Sequence, residues 1–318
     1  MKKILVIGAG AMGTSFAMTC VDNRNEVTLA EPYSLNFIED LKKNKKHSGL
    51  GLKISKKIKL SPFYENILNK RWDLIVIALS SSGINFIGKK LKNCKANNKI
   101  LILTKGLIFE KKTKKIITLS EKLKSFKKGS NISVLKGPCL AKDLANKVNS
   151  NVIVANKNLN IARVISKMIT TSYYRVEVSN DVRGVEICSS IKNIYSMIIG
   201  AGKGLNMSSY LFVKCLDEMT YFTRYFKGNI ETVYGLAGLG DLYVSALGGR
   251  NSKMGYYLGK GYKFKVAKKK FMKNDTIEGE MLLREIAPYV TKKLNKKKLP
   301  LMTKLIKSII NNKKLVLN

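Results

Sequence analysis

The hydrophobic positions of this chain change their spacing partway along it. In the first part they form short apolar runs, among them KILVI at residues 3–7, WDLIVIAL at 72–79 and NKILILTKG at 98–106. Apolar runs of this length, separated by helical segments, are typical of buried parallel strands. The segments NEVTLAE, ISVLKGP and NVIVAN fit further strands. The alternation predicts an α/β domain with a mainly parallel sheet and right-handed crossovers.

From about residue 181 the apolar positions follow a helical period instead. DVRGVEICSSIKNIYSMIIGAGKGL is a long, largely apolar helical stretch, and YLFVKCLDEMTYFTRYF, MLLREIAPYV and LMTKLIKSII repeat the pattern. We therefore predict two domains, an α/β domain over residues 1–180 and an all-helical domain over residues 181–318.

The first twenty residues, MKKILVIGAGAMGTSFAMTC, fit two incompatible interpretations. Two lysines before an apolar run that ends at Cys20 are typical of an export signal. The same letters predict a strand, a glycine turn and a helix, which is how a dinucleotide-binding fold begins. Removal of a signal would delete the first strand of a sheet whose other strands follow at regular intervals, so we favour the second interpretation.

The glycine turn has the spacing G-x-G-x-x-G, with Gly8, Gly10 and Gly13. In this motif the glycines permit a tight turn, close approach to a pyrophosphate and packing of the helix on the strand. The amino end of the helix then faces the phosphates. Glu31 ends the second predicted strand, where a carboxylate accepts hydrogen bonds from an adenosine ribose and repels a 2′-phosphate. The cofactor is therefore NAD or NADP, with NAD favoured; the alternative for Glu31 is a surface glutamate in a turn.

Two loops that follow predicted strands carry candidate ligand contacts. Lys105 stands just past the carboxyl end of a buried strand, where ligands bind in open α/β sheets. The segment KGPCLAKDLA adds a turn before a helix, in which Gly137 permits close approach and the first-turn amides are potential anion donors. The alternative for Lys105 is a surface lysine beside a helix end.

The segment EICSSIKNIYSMI places polar residues at helical spacing among apolar ones. Ser189, Lys192, Asn193 and Ser196 stand at i, i+3, i+4 and i+7 and are expected to share one helix face. A lysine and an asparagine on a buried helix are costly unless they are used. This face therefore predicts either a catalytic group or a polar seam between helices.

The segment YGLAGLGDLYVSALGGRNSKMG is a glycine-rich connector that leads to Asp241, Arg250 and Asn251. An arginine and an asparagine that follow glycines at the start of a helix predict a phosphate clamp. Asp241 is placed to pair with a lysine and orient it.

Charge and composition narrow the function classes. The 318 residues carry 59 basic and 21 acidic side chains, a net charge of +38. Lysine far outnumbers arginine and is scattered in runs, whereas nucleic-acid surfaces favour arginine and interleaved aromatics. We interpret the excess as solvated surface that attracts anionic substrates and binds no specific nucleic acid.

Histidine and cysteine usage excludes several kinds of site. The single histidine, His47, stands in a basic run and is expected at the surface, which excludes His-based triads and multi-histidine metal sites. The five cysteines form no C-x-x-C pair, so we expect no metal site, no disulfide framework and a cytoplasmic protein. No apolar run reaches the length of a membrane-spanning helix.

Taken together, these segments resemble bacterial-type NAD(P)-dependent glycerol-3-phosphate dehydrogenase. The resemblance is carried by GAGAMGTSFA, TKG, GPCLAKDL, IKNI, GLAGLGDL, GRN and IEGE, in that order along the chain. It implies a Rossmann-like domain followed by an all-helical domain, as in the 6-phosphogluconate dehydrogenase-like fold. It also implies interconversion of dihydroxyacetone phosphate and sn-glycerol 3-phosphate by hydride transfer with NAD(P)H. We expect the protein to be a homodimer.

The resemblance assigns roles to residues of this chain. Lys192 is the implied proton donor and acceptor, and Lys105, Asn193 and Asp241 are its implied catalytic neighbours. The implied substrate contacts are Lys105, Gly137, Cys139, Lys192, Asp241, Gly249, Arg250 and Asn251. The implied cofactor contacts, beside the glycines and Glu31, are Ala11, Met12, Lys105, Ala141, Arg250, Thr276 and Glu278.

Three other functions remain as alternatives. A two-domain reductase for ketopantoate or a β-hydroxyacid shares the glycine turn and a helical-domain lysine, but it lacks the GLAGLGDL and GRN segments. A basic nucleic-acid-associated protein predicts salt-sensitive DNA binding. A degenerate enzyme is disfavoured because Lys105, Lys192, Asp241 and Arg250 are all retained.

Overall fold

A computed structural model describes residues 1–94 and 98–317. The chain divides into two compact units, one formed by residues 1–105 and 119–182 and the other by residues 106–118 and 183–318. This division differs from the predicted one at the segment 106–118. The segment belongs to the second unit because its apolar side chains, Leu107 and Ile116, pack into the helical core.

The strands are short and mostly apolar. They are β1 (Lys3–Ile7), β2 (Glu26–Glu31), β3 (Lys46–His47), β4 (Leu52–Lys53), β5 (Lys59–Pro62), β6 (Leu74–Ile77), β7 (Ile100–Ile102), β8 (Leu107–Glu110), β9 (Lys115–Thr118), β10 (Ile132–Lys136), β11 (Ser150–Ala155) and β12 (Tyr174–Ser179).

Helices connect these strands and then form the second unit. They are α1 (Ala11–Asp22), α2 (Leu35–Asn44), α3 (Gly83–Lys92), α4 (Leu119–Phe126), α5 (Ala141–Ala145), α6 (Leu159–Ile169), α7 (Val182–Gly200), α8 (Gly204–Tyr225), α9 (Glu231–Tyr234), α10 (Asp241–Gly248), α11 (Arg250–Gly259), α12 (Phe264–Phe271), α13 (Glu278–Lys293) and α14 (Pro300–Ile310). Short 3₁₀ turns occupy Glu65–Asn69 and Lys296–Lys298, and a π-helical turn occupies Leu236–Gly240.

Eight strands of the first unit form one sheet, in the order β12-β11-β10-β7-β6-β1-β2-β5. Neighbouring strands are parallel except β10 and β11, which are antiparallel, so the predicted mainly parallel sheet is confirmed. The chain runs outward from β1 through β2 and β5 and then returns to β6 on the other side of β1. A reversal of this kind leaves a ligand-binding crevice at the carboxyl ends of the central strands.

The sheet is held by burial of its central strands. Ile4, Val6, Leu74 and Val76 are fully buried and lie in one apolar cluster with the helix residue Phe16. This is the pattern expected where helices cover both faces of a parallel sheet. Two small hairpins stand apart from it, β3–β4 in the first unit and β8–β9 in the second.

The second unit is built on α7, whose residues 184–199 are all buried. A helix that is buried around its whole circumference lies at the centre of a helical domain, and most of the α7 side chains are apolar. Its side chains join those of the surrounding helices in a single core cluster. Among the described residues, no helix is both long and apolar enough to cross a membrane.

Candidate active site

The glycine turn connects β1 to α1 and has almost no spare room on its inner side. Gly8 adopts φ 108°, and a Cβ on Gly13 would lie 2.0 Å from the Gly8 carbonyl oxygen. A Cβ on Gly10, by contrast, would meet nothing within 4 Å. The turn is therefore closed towards the protein and open at Gly10, where α1 begins with Ala11 and Met12. These are the positions where a pyrophosphate would meet the helix N-terminus.

Glu31 supports this turn and is not a surface side chain. The residue is only 8% exposed, and its carboxylate accepts hydrogen bonds from the amides of Ala9, at 2.9 Å, and Tyr33, at 2.8 Å. The alternative of a surface glutamate is therefore wrong. A carboxylate has lone pairs beyond these two bonds, so contact with a ribose stays a prediction for Glu31.

The second loop predicted to contact ligands lies beside α1. Ser15 Oγ lies 2.8 Å from the Ala11 carbonyl and 2.7 Å from the Ala141 carbonyl, which brings the first residue of α5 to the first turns of α1. Gly137 adopts φ 134°, where a side chain would be strained, and Cys139 is half-buried. The structure thus gathers the glycine turn, Glu31 and Ala141 at one end of the sheet.

Lys105 follows β7 in the first unit and is half-buried. Its position depends on Lys136, a lysine at the end of β10 that is 2% exposed. The Lys136 ammonium donates hydrogen bonds to the carbonyl oxygens of Leu103, at 3.1 Å, and of Thr104. Sequence reasoning missed Lys136, although a lysine that ends the apolar run ISVLK was a usable signal.

In the second unit, Lys192 lies in a buried polar cluster with two residues of α10. Its Nζ is 2.8 Å from Asp241 Oδ1 and also donates a hydrogen bond to Ser245 Oγ. Both side chains of the Lys192–Asp241 ion pair are less than a tenth exposed. Asp241 is the first residue of α10, directly after the π-helical turn of the GLAGLG segment. Ser245, one helical turn later, is a site residue that the sequence analysis missed.

Asn193 makes a second group of contacts, with α11 and α13. Its Nδ2 donates to Glu278 Oε2 at 3.1 Å, and its Oδ1 accepts from Asn251 Nδ2 at 3.1 Å. Asn251 Oδ1 in turn accepts the amide of Gly279 at 2.8 Å. Arg250, which begins α11 as predicted, lies 3.5 Å from Glu278. Asn251 is therefore buried in a helix-to-helix network, while about half of the Arg250 and Glu278 side chains is exposed.

The two remaining predicted residues of this unit stand at helix boundaries. Gly249 directly precedes α11, and its amide donates to the Ser245 carbonyl at 3.3 Å. Thr276 is exposed and lies two residues before α13. The second unit thus brings together Lys192, Asp241 and Ser245 in one contact group and Asn193, Asn251, Glu278 and Arg250 in another.

Of the four residues predicted to form a polar face on α7, two contact other helices. Ser189 and Ser196 are fully buried, but each hydroxyl bonds to a carbonyl of its own helix, those of Glu186 and Asn193. Only Lys192 and Asn193 reach neighbouring helices. The short side chain of Asn193 reaches α11 because the two helices pack closely. A Cβ on Gly255 of α11 would lie 2.0 Å from the Met197 carbonyl oxygen of α7.

The single histidine departs most from expectation. His47 is 4% exposed rather than at the surface, and both ring nitrogens are engaged with backbone groups of the first unit. Its surroundings in the sequence, KKNKKHSGLG, gave no sign of this, because the partner of Nε2, the Ala9 carbonyl, lies in the glycine turn, 38 residues earlier.

The chemistry available to the second unit is donation of a proton or a hydrogen bond from a held ammonium. Asp241 and Ser245 fix Lys192 Nζ from one helix, and Asn193 supplies an amide on the adjoining position of α7. An ammonium in such surroundings can stabilise negative charge that develops on an oxygen.

Comparisons with known proteins identify the family of the chain. A family model described as NAD-dependent glycerol-3-phosphate dehydrogenase N-terminus matches residues 3–162, and its C-terminal counterpart matches residues 181–316. A glycerol-3-phosphate dehydrogenase (NAD(P)+) of Clostridium botulinum is 30% identical over 270 residues, 82% of this chain and 80% of that protein. An NADP(+)-dependent glycerol-3-phosphate dehydrogenase of Archaeoglobus fulgidus is 26% identical over 272 residues, 81% of this chain and 80% of that protein.

Solved structures share the fold. The crystal structure of glycerol-3-phosphate dehydrogenase from Coxiella burnetii superposes with a TM-score of 0.86 at 24% identity, over 98% of this chain and 96% of that one. The fold class predicted from the sequence, a Rossmann-like domain followed by a helical domain, is therefore confirmed. With both halves matched by the same family, the chain belongs to the NAD-dependent glycerol-3-phosphate dehydrogenases.

Proposed function

We propose that this protein interconverts dihydroxyacetone phosphate and sn-glycerol 3-phosphate with a nicotinamide cofactor and so supplies the backbone of glycerophospholipids. The observation that carries the proposal is the buried Lys192–Asp241 pair, with Nζ and Oδ1 2.8 Å apart, in a chain that belongs to this family. A lysine held in this way supplies the acid that the chain's single histidine, engaged elsewhere, does not.

The residues of the glycine turn fit NAD or NADP. The side of Gly10 on which a Cβ would meet nothing within 4 Å leaves room for a pyrophosphate against the first amides of α1. The bound nicotinamide would supply or accept the hydride. Glu31 favours NAD, because a carboxylate that already holds the turn repels a 2′-phosphate, and the residues that follow it, Pro32, Tyr33 and Ser34, carry no positive charge.

Lys192 acts on the carbonyl oxygen of the ketone. As negative charge develops on that oxygen, the ammonium donates a hydrogen bond and then a proton to it, and in the reverse direction Lys192 takes the proton back. Asp241 and Ser245 hold Nζ in one place, so little reorganisation is needed during the reaction. Lys105 is proposed to add positive charge near the same oxygen.

The substrate phosphate is assigned to Arg250. The guanidinium stands in the first turn of α11, where the helix dipole and the free amide ends also favour an anion. Its partner Glu278, 3.5 Å away, keeps the side chain oriented while leaving about half of it exposed. Asn251 is proposed to contribute through its backbone amide, since its side chain is already bonded to Gly279 and Asn193.

A homodimer in the cytoplasm is the proposed form of the enzyme. Large apolar side chains on the second unit are exposed, among them Leu205 (89%) and Val213 (54%) on α8 and Leu247 (70%) on α10, and a second copy is the proposed partner that covers them. The five cysteines, all among the described residues, form no disulfide, which suits a reducing compartment. Light scattering during size-exclusion chromatography would test the dimer, with a monomer at micromolar concentration as the contradicting result.

The enzyme assay compares two ketones in parallel. Purified protein is mixed with NADH or NADPH and either dihydroxyacetone phosphate or ketopantoate, and oxidation of the cofactor is followed by absorbance. We expect turnover with dihydroxyacetone phosphate only, and a higher kcat/KM with NADH. Turnover with ketopantoate alone would replace this function by the reductase alternative, and a preference for NADPH of about tenfold, about 1.4 kcal/mol, would overturn the role of Glu31 in choosing the cofactor.

A further inference from the structure

The single histidine of the chain is packed against the glycine turn. His47 lies in the hairpin β3–β4, is 4% exposed, and meets the ring of Phe37 edge-on, with the ring centroids 5.3 Å apart. None of the roles proposed so far uses it. A buried imidazole with polar partners on both nitrogens stabilises either its own hairpin or the glycine turn that it contacts.

The hydrogen bonds of His47 fix which nitrogen carries the proton. Nδ1 lies 3.1 Å from the amide of Leu50, so it accepts a hydrogen bond and is unprotonated. The proton therefore sits on Nε2, which donates to the Ala9 carbonyl oxygen at 3.0 Å. The imidazole thus connects the hairpin turn at Leu50 to the residue between Gly8 and Gly10.

Ala9 is held at both of its polar groups. Its carbonyl accepts hydrogen bonds from His47 and, at 3.0 Å, from the hydroxyl of Thr14, and its amide donates to Glu31 at 2.9 Å. These bonds fix the peptide planes on both sides of Ala9. Gly10 comes next along the chain, so these planes also set where Gly10 and the first amides of α1 point.

We propose that His47 is a positioning residue for the cofactor: by holding the Ala9 carbonyl it fixes the turn that receives the pyrophosphate. The inference rests on the proposed use of NAD(P). Without the hydrogen bond from Nε2–H, Thr14 would be the remaining donor to the Ala9 carbonyl, and the peptide plane could rotate. The affinity for the cofactor would then fall. A role confined to the hairpin would depend on the other nitrogen, Nδ1.

Two substitutions distinguish the hydrogen bond made by Nε2 from the one made by Nδ1. His47→Gln keeps an amide N–H near the position of Nε2 but loses the acceptor for Leu50, whereas His47→Asn keeps an acceptor near the position of Nδ1 but loses the donor to Ala9. The dissociation constant of NADH is measured by fluorescence for both, for His47→Ala and for the wild type. Melting temperature and the KM for dihydroxyacetone phosphate are measured beside it.

The expected pattern is rescue by glutamine only. The loss of one hydrogen bond predicts that the NADH dissociation constant rises roughly three- to tenfold in His47→Asn and His47→Ala, while His47→Gln stays near the wild type. The KM for the ketone should change little in any variant. Rescue by asparagine instead, or equal losses in Gln and Asn, would overturn the inference. A wild-type protein that binds neither NADH nor NADPH would instead overturn the proposed function.

A measurement on the wild type keeps the inference testable if the variants do not fold. Because the chain has one histidine, its imidazole ¹⁵N resonances are unambiguous. We expect the Nε2–H tautomer, with resonances that shift as NADH is added and saturate with the NADH dissociation constant. The Nδ1–H tautomer, or resonances that NADH leaves unchanged, would overturn it.

Discussion

At the scale of single residues, Lys192 and Asn193 are neighbours whose side chains bond to different helices. Lys192 reaches Asp241 and Ser245 on α10, and Asn193 reaches Asn251 on α11 and Glu278 on α13. A charge buried this deeply is tolerated only with its partner, so removal of either member of the ion pair leaves the other unpaired. Any test of Lys192 must therefore separate lost chemistry from lost stability.

Replacement of Lys192 by methionine is the direct test of its role. We expect kcat for ketone reduction to fall by roughly 10²- to 10⁴-fold, the usual worth of a positioned acid. NADH binding should be nearly unchanged, because the glycine turn belongs to the other unit. Stopped-flow kinetics and NADH fluorescence give the two quantities.

The control for Lys192→Met removes the unpaired carboxylate as well. Lys192→Met combined with Asp241→Asn should recover the melting temperature lost in the single variant while staying inactive. If the folded single variant keeps more than about a tenth of the wild-type kcat, the loss is much smaller than removal of a general acid should cause. Lys105 would then become the leading candidate for the acid.

Arg250 offers a second residue-level prediction. Arg250→Ala should raise KM for dihydroxyacetone phosphate by roughly 10- to 100-fold, because charge-assisted bonds to a phosphate contribute to ground-state binding. Arg284→Ala is the matched control, since Arg284 pairs with Glu280 on the surface of α13. Steady-state kinetics decide the matter, and a change in NADH affinity alone would move Arg250 to the cofactor site.

The candidate residues differ in how visible they were in the sequence. Lys192 and Asn193 are polar side chains in apolar runs, so their presence there already indicated a use, and Lys136 carried the same signal but was missed. Ser245 lies four residues after Asp241 and hence on the same helix face, but a serine in a helix is too common to stand out. His47 could not be predicted, because its partner at Ala9 is brought to it only by the fold.

At the scale of elements, the turn between β1 and α1 and the first turn of α1 contain two glycines, Gly10 and Gly13, that can be compared in a matched pair of alanine substitutions. Gly13→Ala would place a methyl group 2.0 Å from a backbone oxygen, so we expect a loss of stability of about 1–3 kcal/mol or more. Gly10→Ala has no such clash and an ordinary backbone conformation, φ −64° and ψ 175°. It should keep the melting temperature but raise the NADH dissociation constant by about tenfold or more, since the methyl group takes the space of the pyrophosphate.

Thermal melts and NADH titrations of the two glycine variants give the outcome. A Gly10→Ala protein that binds NADH as tightly as the wild type would show that the pyrophosphate lies elsewhere.

The contact between α8 and α14 predicts a dependence of stability on pH. Glu218 accepts hydrogen bonds from the amides of Leu301, at 2.5 Å, and Met302, at 3.0 Å, at the start of α14. Burial raises the pKa of Glu218 from 4.5 to about 7, against the opposing effect of these bonds. The folded protein therefore binds a proton more tightly than the unfolded chain, and the free energy of unfolding falls as pH rises from 4.5 to about 7.

The change attributable to Glu218 is on the order of 3 kcal/mol across that range. Glu218→Gln should remove this pH dependence. In denaturant unfolding at several pH values, the free energy of unfolding of the wild type should therefore fall relative to that of the variant as pH rises towards neutral. Glu231→Gln, at an exposed position in the same unit, is the control. Parallel pH profiles for wild type and Glu218→Gln would contradict the assignment.

Most elements were predictable because each carries its own local signal. Six of the eight strands of the sheet lie in predicted strand segments, and the longer helices of the second unit, such as α8, α13 and α14, keep a helical period over ten or more residues. The hairpin Leu107–Thr118 was not assigned to the helical unit, because its membership depends on packing of Leu107 and Ile116 against residues more than seventy positions later. The antiparallel pairing of β10 with β11 was likewise not predicted, since strand direction leaves no trace in an apolar run.

At the scale of the whole molecule, the net charge of +38 is the dominant physical property. Exposed lysines occur on many elements, for example Lys43 on α2, Lys89 on α3 and Lys269 on α12. Such dispersed charge attracts small anions without forming a recognition surface. The phosphorylated substrate would benefit from it at low ionic strength.

Duplex DNA should therefore neither inhibit the enzyme nor raise its melting temperature at about 0.15 M salt, where exposed charges are screened beyond about 8 Å. Enzyme assays and thermal melts with added DNA test this, with the same buffer without DNA as the blank. Nanomolar affinity for DNA at that salt concentration would restore the nucleic-acid alternative.

The central claim concerns one substrate pair, and the oxidation direction tests it most directly. The initial rate of NAD reduction is measured with sn-glycerol 3-phosphate and, separately, with its mirror image, sn-glycerol 1-phosphate. The account predicts steady reduction of NAD with the 3-phosphate, dihydroxyacetone phosphate as the product, and no reaction with the 1-phosphate. No reduction of NAD or NADP by sn-glycerol 3-phosphate, by a folded protein, would contradict it.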